Sequence, residues 1–105
     1  MELITVHTTL PGADQARALA RILIERRLAA CVQLEPIESL YIWQGAMQQE
    51  NGVRLVCKSW ASVQEDLTSA IRELHPYEVP EVLVFPISHA DAAYAQWVAQ
   101  ACGRS

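Results

Sequence analysis

Three runs in this chain, Leu40-Tyr41-Ile42-Trp43, Leu55-Val56-Cys57 and Val82-Leu83-Val84-Phe85, are apolar at every consecutive position. Successive side chains of a strand point to opposite faces, so each run presents apolar groups on both sides of any sheet it joins. A sheet covered on one face alternates instead. Both faces of this sheet must therefore be covered. The chain has 105 residues, enough for one domain, 1–105, that buries somewhat over ~60% of its unfolded surface and has little material to spare. Its own helices can cover one face, and further copies of the chain are the expected cover for the other. The competing reading is a monomer in which these are ordinary buried strands.

The remaining pattern supplies the helices. Residues 2 to 9 alternate in a β-rich composition that Pro11-Gly12 ends, which predicts a first strand. Ala16, Leu19, Ala20 and Leu23 follow at helical spacing and predict a helix over 13–28. A second strand is expected from Ala29 to Trp43, bent at Pro36. Two turn dipeptides come next, Gln44-Gly45 and Asn51-Gly52. Asn-Gly is the stronger hairpin signal taken alone, but using it would strand Gly45 inside a ladder, where a missing side chain weakens packing. The turn is placed at 44–48, with a third strand through Val53 to Lys58.

Ser62-Val63-Gln64-Glu65 reads as a capping box for a second helix with Leu67, Ala70, Ile71 and Leu74 on its apolar face. A fourth strand is expected over Val79 to Ile87. Asp91 then suggests the cap of a terminal helix lined by Tyr94, Trp97, Val98 and Ala101. The order predicts an α+β, ferredoxin-like βαββαβ sandwich with an extra C-terminal helix. Right-handed crossovers put both long helices on one face of it. The terminal helix is too short to cover four strands, which is why a homo-oligomer is expected.

Composition excludes several functions. Twelve acidic against eight basic residues give a formal charge of −4, without the basic stripe that nucleic-acid binding needs. The first residues show no secretory pattern, and no apolar run approaches the ~20 residues that span a bilayer, so a soluble, cytoplasmic protein is expected. Cys31, Cys57 and Cys102 are odd in number and lack C-x-x-C spacing. They predict reduced thiols and no structural zinc site. No nucleophile, base and oxyanion set is visible, so no enzyme is expected.

The stretch His75-Pro76-Tyr77-Glu78-Val79-Pro80 packs an imidazole, a phenol and a carboxylate between two prolines. Each proline fixes its own φ and holds the residue before it extended, so a helix must end by about Leu74. The stretch reads either as a helix-to-strand turn or as a small polar site. Cys31 and Lys58 lie on strands that this topology makes neighbours, and the connection can deliver Tyr77 and Glu78 nearby. Lys58 either pairs with Glu78 or points to solvent. Trp43 suits a subunit contact or a pocket wall. His75 is the one histidine in a polar cluster. Imidazole suits copper and zinc, although a single histidine also serves as a capping side chain.

Leu28-Ala29-Ala30-Cys31-Val32, Ser39-Leu40-Tyr41-Ile42-Trp43-Gln44-Gly45, Lys58, His75 to Glu81, and Tyr94 with Trp97 together resemble the CutA family, in order and across nearly the whole chain. The resemblance implies a tight homotrimer of ferredoxin-like subunits in which a long hairpin embraces its neighbour. It implies an association with tolerance of divalent cations, copper especially, and kinship with the trimeric PII signalling proteins. Small-ligand sensing is the alternative function. The pattern departs at Ala46, Gly52, Ser59 and Ala90, and at Thr8, where some members carry a cysteine. The expected ligand-binding or intersubunit pocket is Cys31, Trp43, Lys58, Tyr77 and Glu78. His75 is the expected metal donor, to Cu(II) or another divalent cation, with no cofactor required.

Overall fold

A computed structural model describes residues 2–103. Strand β1 (Leu3–Leu10) leads into helix α1 (Ala13–Glu25). Strands β2 (Cys31–Trp43) and β3 (Ala46–Trp60) form a long hairpin, and helix α2 (Gln64–Leu74), strand β4 (Leu83–Pro86) and helix α3 (Ala92–Ala101) follow. The sheet order is β2-β3-β1-β4, and every pairing is antiparallel. This is the ferredoxin-like order expected from the sequence.

Alternation decides which sheet face the helices cover. Ile4, Val6 and Leu10 of β1 and Leu55 and Cys57 of β3 bury against Leu19 and Leu23 of α1 and Leu67 and Ile71 of α2. Helix α3 lies elsewhere, packing Val98 and Cys102 against Leu3 and Val63. A helix of ten residues is only about 15 Å long, so most of the second face stays open. Leu83 and Phe85 of β4 are accordingly exposed, as are Tyr94 and Trp97 of α3. Those last two were expected on the inward face with Val98; Val98 is buried as expected, and Ala95 and Ala99 join it in their place.

The hairpin turns at Gln44-Gly45. Both residues have positive φ, 51° and 80°, as a two-residue type I′ turn requires. The tip is shorter than the expected 44–48, and β3 begins at Ala46 rather than near Val53. Asn51-Gly52 lies inside β3, where Gly52 has a different task. A β-carbon there would sit 2.7 Å from the Leu10 carbonyl oxygen, so the missing side chain is what lets β1 approach β3. Gly52→Ala is expected to lower stability by about 1–3 kcal/mol, read as a lower denaturant midpoint.

Other boundaries differ for local reasons. α1 stops at Glu25, short of residue 28, because Arg27 takes φ 58°. The expected helix start at Ser62 falls inside a 3-10 turn, Ala61–Val63, that precedes α2. The Asp91 cap is as read, its carboxylate accepting the Tyr94 N–H at 3.4 Å. β4 is half its expected length. It pairs with Ile4 to His7 only, because the next acceptor on that edge, the Thr9 carbonyl, is taken by His75 at 2.8 Å. Pro80 also lacks a ladder donor.

Beyond Val53, β3 has no β1 partner, so residues 37–52 pair only with each other. This ribbon helps give the chain extents of 47 × 26 × 21 Å. Leu40, Ile42 and Met47 on it are 62%, 65% and 72% exposed. An isolated two-stranded ribbon is marginal in water, and this one offers apolar groups on both faces.

Candidate functional site

His75 organises the site. Pro76 holds it extended (φ −77°, ψ 139°) as the residue that ends α2, and its ring is buried. The Tyr77 amide N–H can only donate, so Nδ1 accepts it at 3.0 Å. Nε2 therefore carries the proton and donates to the Thr9 carbonyl. Burial lowers the ring's pKa below its ordinary value, and the Thr9 hydrogen bond partly offsets this. The neutral ring thus pins the 75–80 connection to the end of β1, with the Tyr77 ring tilted against it, centroids 4.9 Å apart.

That pin aims Tyr77 and Glu78 into a groove of about 910 Å3 between the connection and the hairpin ribbon. Ile37, Ser39, Tyr41 and Trp43 alternate along one face of β2 and line it, and Glu50 stands opposite Ser39 in the ladder. The neighbouring Glu50 carboxylate favours the neutral, protonated Tyr41 phenol and so raises the Tyr41 pKa. Tyr77 is raised first by burial and then by the same carboxylate. Tyr41, Glu50 and Tyr77 therefore converge.

The five expected pocket residues fall into two groups. Trp43, Tyr77 and Glu78 line the groove. Cys31 and Lys58 are directly opposed in the ladder at the other end of the hairpin. Twelve residue steps along β2 separate Cys31 from Trp43, roughly 40 Å of strand, so one chain cannot bring both to one ligand. Lys58 Nζ donates to Gln33 Oε1 at 2.9 Å, not to Glu78. The three cysteines are unbridged thiols, and burial pushes the Cys57 thiol up to about 12.

His75, the expected metal donor, has both ring nitrogens engaged. Among the described residues no three His, Cys, Asp or Glu side chains converge on a point that could hold a metal ion. Thr8 shares the helix-covered face of Val6 and Leu10, and its buried hydroxyl has no partner among the described residues. A thiol at that position would face the core rather than the groove. Tyr41 and Glu50 were missed in the sequence, although the turn at Gln44-Gly45 fixes the register that puts Glu50 across from Ser39.

An antiparallel sheet of this order with two helices on one face, and a hairpin that outruns its own sheet, defines a ferredoxin-like α+β protein with an overhanging arm. The chain belongs to the CutA1 divalent ion tolerance protein family, whose model matches residues 4–101. It is 40% identical over 98 residues to the divalent-cation tolerance protein CutA of Pectobacterium atrosepticum, covering 92% of this chain and 89% of that one. It is 41% identical over 93 residues to the human protein CutA, covering 88% of this chain but spanning only about half, 52%, of the human protein's length. The structure of CutA from Synechococcus elongatus superposes with a TM-score of 0.94 at 33% identity, covering 96% of this chain and 90% of that one. Among the described residues, no helix is long and apolar enough to cross a membrane.

Proposed function

We propose that the chain acts as a homotrimer in the tolerance of divalent cations, copper among them, by binding rather than by catalysis. The observation that carries this reading is the 37–52 ribbon, apolar on both faces and unsupported by its own sheet. A neighbouring copy laid along it would bury those faces and bring one chain's Cys31 and Lys58 toward another's Trp43, Tyr77 and Glu78. Family membership supports the tolerance role, and the relatives are named for it. A ring with both nitrogens engaged is poorly placed to serve as a general base, which supports a non-enzymatic reading. Three unbridged thiols suit the cytoplasm, and the net charge of −4 disfavours nucleic acid. The groove keeps small-ligand sensing of the PII kind as the second reading.

In this reading Cu(II) or another divalent cation is a ligand, not a resident cofactor. An ion at His75 has to displace one of the ring's two hydrogen bonds and take its remaining donors from a neighbour, so the expected affinity is modest. Calorimetry with Cu(II) tests this. His75→Ala is expected to weaken binding about tenfold or more, in the range for loss of a metal-site group. Identical isotherms for the two proteins remove the metal role from this position.

A further inference from the structure

The open face of the sheet carries a cation to which the chain itself supplies no anion. Lys58 stands between Cys31 and Thr5 in the ladder, on the face that the two long helices leave bare, and it is half-buried there. Its Nζ donates to the neutral Gln33 amide, and no carboxylate among the described residues lies within ion-pair distance of it. Val56, Leu83 and Phe85 share that face. The groove shows the converse: Glu38, Glu50, Glu78 and Glu81 line it, and among the described lining residues there is no lysine, arginine or histidine. A neighbouring copy laid over the open face takes Lys58 out of water, and a buried charge without a partner is strongly destabilising.

The four carboxylates are not equivalent. Glu50 faces the Tyr41 phenol, and Glu38 accepts from Gln49 Nε2 at 3.2 Å. Glu81 lies beyond Pro80, whereas Glu78 directly follows Tyr77, whose amide and ring are both held by His75. Glu78 is thus both held in place and free of a hydrogen bond among the described residues. We propose that in the trimer Lys58 of each copy pairs with Glu78 of the next, a contact that neither chain completes alone. The inference rests on the trimer reading and deepens it, because it names what fixes the arm's position along the open face. Apolar burial is non-directional and leaves that register loose, whereas a charge pair fixes one alignment. A ring closes when each copy offers one patch to the copy ahead and a different patch to the copy behind, and the lysine face and the groove are two such patches.

Lys58→Met and Glu78→Gln, made singly and together in the full chain, test the pair by thermal melting and light scattering. Each single change is expected to lower the melting temperature by about five degrees or more. The double change is expected to lower it no further than the worse single one, since it leaves no charge buried without a partner. Exchange of the two charges, Lys58→Glu with Glu78→Lys, is expected to restore a trimer mass that either reversal alone abolishes. If Lys58→Met fails to fold, Lys58→Gln takes its place in the cycle. Glu65→Gln, at the exposed start of α2, is expected to add independently to Lys58→Met. Losses that add for Lys58→Met and Glu78→Gln in a protein whose wild type is trimeric overturn the pair and leave the trimer standing. A monomeric wild type overturns both.

Discussion

Ile42→Glu is expected to break the assembly and lower the melting temperature by ten degrees or more, on the order expected for a loss of several kcal/mol. Within one chain Ile42 is 65% exposed and stands opposite Met47, itself 72% exposed. Surface substitutions of that kind ordinarily change stability by no more than about 0.5 kcal/mol. If neighbours cover the arm, the same change buries three unpaired carboxylates per trimer, each costing several kcal/mol or forcing the interface open. The two accounts therefore differ widely for one substitution. A variant that melts and sediments like the wild type would leave the arm in water and remove the main physical support for the trimer.

The second large effect is acid sensitivity through His75. The folded protein holds the ring neutral, with Nδ1 accepting from Tyr77 and Nε2 donating to Thr9. Protonation at Nδ1 turns that acceptor into a donor facing another donor. Because burial lowers the folded pKa below the unfolded value, the ring's contribution is fully present above an unfolded pKa of about 6.5. It is lost as pH falls from there to the folded value and then levels off. Chemical denaturation at several pH values is expected to show wild-type stability falling in that window while His75→Asn stays flatter. At neutral pH, His75→Ala is expected to cost about 2–3 kcal/mol, since it leaves the Thr9 carbonyl and Tyr77 amide without their partner. Parallel pH curves would mean the imidazole does not pin the connection.

Those two residues also show what the sequence could reveal. The fold was legible because each element carries its own local signal: period 3.6 in Ala16 to Leu23, the Asp91 cap, and the turn at Gln44-Gly45. Asn51-Gly52 shows the limit of such signals, since its glycine answers to the carbonyl of Leu10, the last residue of another strand. β4 was overestimated for the same kind of reason. Apolar residues from 79 onward suit a strand, but the Thr9 acceptor is already used by His75. The candidate site was half legible. Trp43, Tyr77 and Glu78 do meet at one groove, whereas Cys31 and Lys58 were grouped with them by strand adjacency, which ignores distance along a thirteen-residue strand. Glu50 and Tyr41 required the register, which follows once the turn is fixed.

Assembly is the claim on which the pocket, the covered arm and the proposed role all depend. Light scattering coupled to size-exclusion chromatography at micromolar concentration measures it directly. A mass near three chains of 11.7 kDa is the expected result, and a stable monomer at one chain's mass would contradict the account.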